Sequence, residues 1–172
     1  MDIYRDLTGR PEIGAPILRK GEVYLFGEIT EVMAGEVVRK LNEYRPEELT
    51  IYVSTNGGIL SAGLAIHDAL LQVPKTTVIT SGMCASTGTL ILLAGKFRTS
   101  RPNTQFIVHD AELEPTTEGA DQEEVVKHLA HLNKIVDNLF ERRIGKIYAS
   151  AKETGIFGAE TALKFKLVDR IE

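Results

Sequence analysis

Short apolar segments rich in β-branched residues alternate with helical segments through the first half of the chain, and this order constrains the fold more than any other feature. The segments typical of buried strands are EVYLFG, ELTIYVS and TTVITSG, and those with helical spacing are ITEVMAGEVVRKLNEY, SAGLAIHDALLQ and ASTGTLILLAG. Thr30 is predicted to cap the first helix, and Pro46 follows its end. Such alternation favours right-handed β-α-β crossovers. The sequence therefore predicts an α/β fold with a largely parallel sheet.

The pattern changes after Lys96. KFRTS and TQFIVHD are predicted to form two short strands, an acidic stretch then follows, and a long amphipathic helix is predicted at about residues 120–144. A shorter helix from Ala159 and a final strand, LVDRI, complete the predicted elements. Proline and glycine are frequent before the first strand. Residues 1–20 are therefore predicted to be an N-terminal arm, and residues 21–172 a single domain.

Composition excludes several function classes. The net charge of −4 comes with no basic stretch that could follow a phosphate backbone, so a nucleic-acid partner is not expected. No apolar run approaches the roughly 20 residues of a membrane span, and the polar N-terminus is unlike a signal peptide. The one cysteine, Cys84, cannot form an internal disulfide, which fits a reducing compartment. The sequence thus predicts a cytoplasmic protein without a membrane partner.

A serine stands between small residues in the stretch SGMCASTGTL, where a predicted strand meets a predicted helix. At such a corner the oxygen of Ser86 would lie beside backbone N–H groups that carry partial positive charge. That placement suits a nucleophile. A small side chain that lets a helix pack closely on a sheet would also suit this position, so the residue type alone leaves both interpretations open.

A second corner, STNGGILSAG, follows the preceding strand. Adjacent glycines there would let backbone N–H groups face a cleft, although a tight turn explains a lone glycine pair equally well. The spacing matches neither the dinucleotide fingerprint nor the phosphate-binding loop with its lysine, so no nucleotide cofactor is predicted. Both corners are expected at the carboxyl ends of neighbouring strands, where open α/β sheets place their sites.

The chain has four histidines. His109 ends an apolar strand, is expected at a sheet edge, and is the best candidate for a general base if Ser86 lies within reach. His67 is predicted to be packed or half-exposed in a helix. His128 and His131 are three residues apart on the long helix, but no third ligand is apparent, so a solvated face is favoured over a metal site. The sequence therefore predicts neither a metal nor a cofactor.

Four blocks of sequence, in order, resemble the ClpP family, the proteolytic subunits of the Clp protease. They are STNGGILSAGLAIHDAL, SGMCASTGTLILLAG, RPNTQFIVHD and AETALKFKLVD, within a resemblance that runs from about Val23 to Ile171. The resemblance implies an α/β fold of the ClpP/crotonase type, in which β-α-β units form a spiral. It also implies that the long helix is the projecting handle helix.

The resemblance implies a role for each matching residue. Ser86 matches the nucleophile and His109 the general base. The backbone N–H of Thr87, where the family usually has methionine, would serve the oxyanion hole together with Gly58. Gly57 would align the backbone of the substrate.

The third member of the triad departs from the family pattern. Aligning FGAETALKFKLVD without gaps places Ser150 where the family has an aspartate. Asp110 is expected to point away from its neighbour His109 across the strand. Glu153 is the nearest carboxylate along the chain, one helical turn beyond Ser150. Ser150 and Glu153 are therefore both candidates for the third member of the triad.

The resemblance implies a serine endopeptidase that cleaves peptides or unfolded proteins inside a homo-oligomeric ring, single or stacked as a double ring, with an AAA+ unfoldase as a candidate partner. The missing aspartate leaves open a catalytically inactive ring subunit similar to the ClpR paralogues. A crotonase-like acyl-CoA enzyme is a further alternative because the folds are related.

Overall fold

The computed structural model describes residues 21–112 and 122–172, together with the backbone of strand β1 (Ile17–Arg19). The other strands are β2 (Glu22–Phe26), β3 (Glu48–Thr55), β4 (Lys75–Ala85), β5 (Phe97–Ser100), β6 (Gln105–Ile107), β7 (Ile156–Gly158) and β8 (Arg170–Ile171). The helices are α1 (Glu31–Tyr44), α2 (Leu60–Leu71), α3 (Thr87–Ala94), α4 (Gln122–Ile144), α5 (Tyr148–Thr154) and α6 (Ala159–Lys164), with a 3₁₀ turn at Gly145–Ile147.

The strands form one sheet in the order β1-β2-β3-β4-β5-β8, in which every neighbouring pair except β1–β2 is parallel. The predicted α/β class with a largely parallel sheet is confirmed. Strand β1 falls within the segment predicted to be an arm, and it adds an antiparallel edge strand there. The rest of residues 1–20 lies outside the described residues, so the division at residue 21 stays a prediction.

Strand β4 is longer than TTVITSG and changes partners along its length. Its first part pairs with β5 as far as Thr80, and its last part pairs with β6 from Met83 to Ala85. Gly82 lies between the two parts with φ 64°. A register shift against β3 accompanies this change, because Thr80 is opposite Val53 whereas Cys84 is opposite Thr55. The end of β4 therefore pairs with β6 instead of β5, while Cys84 stays paired with Thr55 of β3.

Helices pack on this sheet through the apolar positions that the sequence pattern indicated. In α1 the buried residues include Met33 and Val37, and the Thr30 hydroxyl accepts the Met33 N–H at 3.2 Å, which confirms the predicted cap. Every residue of α3 is buried. Since α3 has no polar face, it lies between the sheet and other helices, and its N-terminus is held firmly at the end of β4.

The long helix α4 is observed at Gln122–Ile144, close to the predicted 120–144. Its C-terminal half packs on the body of the domain through Val136 and Phe140, and the Phe140 ring stacks on Tyr148 at 4.3 Å. Leu129, in the N-terminal half, is only partly covered. Among the described residues, no helix combines the length and apolar character needed to cross a membrane.

Candidate active site

Ser86 occupies a strained corner between β4 and α3. Its backbone has φ 52° and ψ −124°, a combination that costs a non-glycine residue roughly 1–3 kcal/mol. Two contacts hold it there: the Ser86 N–H donates to the Ile107 carbonyl at 2.9 Å, and the Thr89 N–H donates to the Ser86 carbonyl at 2.9 Å. Within the described parts of the chain, the Ser86 hydroxyl makes no hydrogen bond. A serine on a strained strand-to-helix turn is the geometry of a nucleophile elbow.

Gly57 lies directly against Ser86. A Cβ atom at Gly57 would be 2.7 Å from the Ser86 Cβ and 3.1 Å from its Oγ, so only glycine fits beside the hydroxyl. The Gly57 backbone, at φ 106°, is held by Thr55, whose hydroxyl oxygen accepts the Gly57 N–H at 2.9 Å. The two glycine-containing corners predicted at neighbouring strand ends are therefore adjacent in space.

Gly58 has a backbone N–H that pairs with no described residue. Its neighbours do pair: the Ile29 N–H donates to the Gly57 carbonyl and the Ile59 N–H to the Ile29 carbonyl, each at 2.9 Å. A Cβ at Gly58 would be 2.3 Å from the Ile29 carbonyl oxygen, so this close approach also requires glycine. The arrangement leaves the Gly58 N–H as a donor available to a ligand.

Thr87 joins the two corners. It is the first residue of α3, so its N–H has no acceptor within the helix. Its hydroxyl donates to the Gly58 carbonyl at 2.9 Å. This bond joins the residue after Ser86 to the glycine pair. It fixes the relative positions of the N–H groups of Gly58 and Thr87, which the family resemblance implies would bind an oxyanion.

His109 follows β6, which is the strand that pairs with the end of β4. Ala85 is in register with Ile107, so His109 lies two residues beyond the last paired position on the strand beside Ser86. The sequence placed His109 at a sheet edge, but β6 is not an edge strand, because β4 pairs with one side of it and β7 with the other. The imidazole is 38% exposed, and no hydrogen bond joins it to Ser86, both of which are described residues. A hydrogen bond between them requires that at least one of the two side chains, the unpaired Ser86 hydroxyl or the imidazole, changes its position.

The imidazole Nδ1 of His109 is engaged locally. It lies 2.6 Å from the Asp110 carbonyl oxygen and 3.7 Å from the Glu112 carboxylate. The Asp110 carboxylate itself forms an ion pair with Lys152 of α5. Burial lowers the pKa of the Lys152 ammonium, but its hydrogen bond to Asp110 and the charges of Asp110 and Asp137 outweigh burial, and the net shift is upward.

The two candidates for the third triad member, Ser150 and Glu153, are both exposed residues of α5. Ser150 uses its carbonyl to accept the Thr154 hydroxyl at 2.6 Å, and Glu153 makes no ion pair or hydrogen bond with any residue of the described parts. Neither residue forms a hydrogen bond or an ion pair with His109, and all three belong to the described residues. The sequence did not single out Glu112 or Lys152, because both lie in segments where no periodic pattern marks which side chains converge.

The remaining candidates have structural explanations. His67 is buried and lies 3.0 Å from the Asp68 carboxylate, while His128 and His131 are exposed. The described residues hold no cluster of three metal-ligating side chains. Burial raises the pKa of the Cys84 thiol, so this residue stays a neutral packing group.

With this geometry in place, the comparisons with known proteins identify the family. A sequence model of the family described as Clp protease matches residues 11–172. The chain belongs to the Clp protease family. Among solved structures it resembles a point mutant of ClpP1 from Listeria monocytogenes, with a TM-score of 0.74 and 25% identity over 88% of this chain and 91% of that one. The ClpP-type fold with its long helix is thereby confirmed.

Membership of the Clp protease family gives the strained Ser86 corner a chemical context. A serine-peptidase chemistry fits a family named for proteolysis. The individual roles of Ser86, His109, Thr87 and the two glycines stay predictions. The alignment of Ser150 with the family's aspartate also stays a prediction.

Proposed function

We propose that this Clp protease family member is a serine endopeptidase that cleaves peptides or unfolded chains. The observation that carries the proposal is the Ser86 corner, where a strained backbone, an unpaired hydroxyl and an adjacent unpaired Gly58 N–H meet among the described residues. Strain maintained at a residue with a nucleophilic side chain supports a functional rather than a packing role, because any small residue in a relaxed conformation would satisfy packing.

The reaction follows from these groups. Ser86 Oγ attacks the peptide carbonyl carbon while His109 Nε2 accepts the hydroxyl proton. The developing oxyanion receives hydrogen bonds from the N–H groups of Gly58 and Thr87. The C–N bond then breaks, and the imidazolium returns the proton to the leaving amine. Water, deprotonated in turn by His109, hydrolyses the acyl-enzyme and restores Ser86.

Association into homo-oligomeric rings, with the sites facing an enclosed chamber, is part of the proposal. Several large apolar side chains are exposed on the isolated chain, including Val126 at 65% on α4 and Phe97 at 64% at the start of β5. Exposed apolar groups of this size favour burial between subunits. Since the sequence lacks a nucleotide motif, the use of ATP would belong to a partner unfoldase of the AAA+ type.

A non-catalytic ring subunit is the second candidate function. Ser150 in place of a carboxylate and the absence of a hydrogen bond between Ser86 and His109, both described residues, favour it. No feature of the described part of the site favours the acyl-CoA alternative.

Reaction with a fluorophosphonate probe tests the proposal. We expect intact-mass spectrometry to show one adduct on the native chain and none on the Ser86→Ala variant, because the probe needs an activated serine and an oxyanion site. Native mass spectrometry of the same sample reports the assembly state. A folded, assembled protein that takes up no probe would contradict the peptidase and favour the non-catalytic subunit.

A further inference from the structure

We propose that the segment following His109 replaces the missing triad acid, with the Asp110 backbone carbonyl orienting the imidazole and the Glu112 carboxylate supplying the charge. This inference rests on the proposed peptidase function and names the positioning residue of the same site. The positioning residue is Glu112, which the resemblance to the family does not single out.

The contact with Asp110 determines the tautomer of His109. A carbonyl oxygen can only accept a hydrogen bond, so the 2.6 Å contact with Asp110 requires that Nδ1 carries the hydrogen. In a neutral imidazole, Nε2 is then the free acceptor. That is the tautomer a general base needs, and holding it is one of the two tasks of the acid in a triad.

The second task is to stabilise the imidazolium that forms when Ser86 loses its proton. The Glu112 Oε1 lies 3.7 Å from Nδ1, which is too long for a hydrogen bond but close enough for direct charge attraction. Glu112 pairs with no other charged group of the described residues. The imidazolium would therefore meet an uncompensated negative charge.

The other nearby carboxylate is compensated. Asp110 pairs with Lys152, which also lies 3.5 Å from Asp137. The backbone of the segment is fixed as well, because the Ala111 N–H donates to the Asn133 side-chain oxygen on α4 at 2.7 Å. Glu112 thus projects from a tethered backbone, and among the described residues it is the carboxylate near His109 whose charge remains available.

The expected size of the effect follows from exposure. The Glu112 side chain is 83% exposed, so water and salt screen its charge, and its loss should cost far less than the roughly 10⁴-fold loss known for a buried triad aspartate. We expect Glu112→Gln to lower the labelling rate of Ser86 about tenfold. In peptide turnover it should lower kcat by a similar factor and leave KM unchanged.

The experiment compares second-order labelling rates of the fluorophosphonate probe, at low salt, for the native protein and four variants. Glu112→Gln should be slow, and Glu112→Asp should recover most of the rate because it keeps the charge. Glu48→Gln is the matched control, since Glu48 is exposed at the start of β3, the opposite end of the strand from the glycine corner. Glu153→Gln tests the alternative carboxylate of α5.

The salt dependence of the labelling rate separates an electrostatic role of Glu112 from a merely structural one, because a structural role would not make the rate sensitive to screening. At about 1 M NaCl, where the screening length falls to about 3 Å, the native rate should drop towards that of Glu112→Gln, whose own rate should change little. Equal unfolding midpoints of all variants would show that the differences are local.

The outcomes separate the two proposals. Absence of labelling on native Ser86 overturns the peptidase and this inference with it. Labelling of the native chain with an unchanged rate in Glu112→Gln overturns the role of Glu112 and leaves the peptidase standing. A slow Glu153→Gln beside a normal Glu112→Gln would assign the charge to α5 instead.

Discussion

Ser86 has a strained backbone conformation, and the residues around it explain how that strain is maintained. The Ser86 N–H and carbonyl are both paired, and Gly57 packs against its side chain. Two of these contacts, from Ile107 and Gly57, come from segments outside the turn, so they hold Ser86 more firmly than its own turn could. The same contacts leave the hydroxyl unpaired within the described residues.

Gly57→Ala should abolish labelling of Ser86 by the fluorophosphonate probe, with roughly a hundredfold loss or more. The added Cβ would lie 2.7 Å from the Ser86 Cβ and displace the hydroxyl from the oxyanion donors. Gly27→Ala is the matched control, because Gly27 has φ 88° and no atom within 4 Å of the added Cβ. It shares the backbone strain without the contact. Equal labelling of the two variants would contradict the steric argument.

At the scale of elements, the site depends on how closely α2 approaches the start of α3. Gly63 in α2 faces Thr87, and a Cβ at Gly63 would lie 1.9 Å from the Thr87 Cγ2. Thr87 has little freedom to move, since its hydroxyl donates to the Gly58 carbonyl. Close packing of two helices therefore positions one of the proposed oxyanion donors.

Gly63→Ala should lower the free energy of unfolding by about 1–3 kcal/mol, because overpacking outweighs the gain in helix propensity. Gly35→Ala is the matched control within α1, where Gly35 is exposed and an added Cβ meets nothing within 4 Å. It should raise the free energy of unfolding by up to about 1 kcal/mol. Chemical denaturation measures both, and a stabilised Gly63→Ala would show that Thr87 moves aside freely.

At the scale of the whole molecule, the C-terminal strand is joined to the sheet by an ion pair between residues distant in sequence. Arg98 of β5 donates to the Asp169 carboxylate from its guanidinium at 2.7 Å and from its backbone N–H at 2.8 Å. Burial alone would raise the pKa of Asp169, but these hydrogen bonds and the positive charges of Arg98 and Arg143 lower it overall.

The stability of the native protein should therefore fall in acid in a way that Asp169→Asn does not share. Because its pKa is lowered on folding, Asp169 contributes its full stabilisation at pH values above 3.8, its ordinary pKa. That stabilisation is lost as the pH falls through the lower pKa of Asp169 in the folded protein. At pH 7 we expect Asp169→Asn to be less stable by roughly 1–3 kcal/mol. Denaturation curves between pH 7 and pH 2 measure the difference, and a constant difference would contradict the assignment.

The sequence by itself determined what depends on local bonding and periodicity. The alternation of strands and helices, the Thr30 cap and the extent of α4 all follow from patterns within one segment. The resemblance of the two corners to blocks of the family also implied that both belong to one site, and the structure places them against each other.

Only the tertiary structure decided the features in which distant segments meet. The change of partner along β4, from β5 to β6, is encoded by no local pattern. The sequence places Glu112 in an exposed acidic stretch three residues beyond His109, and the backbone between them is held by a contact from a distant segment, the Asn133 side chain of α4. Non-local contacts of this kind choose among conformations that the local sequence permits equally.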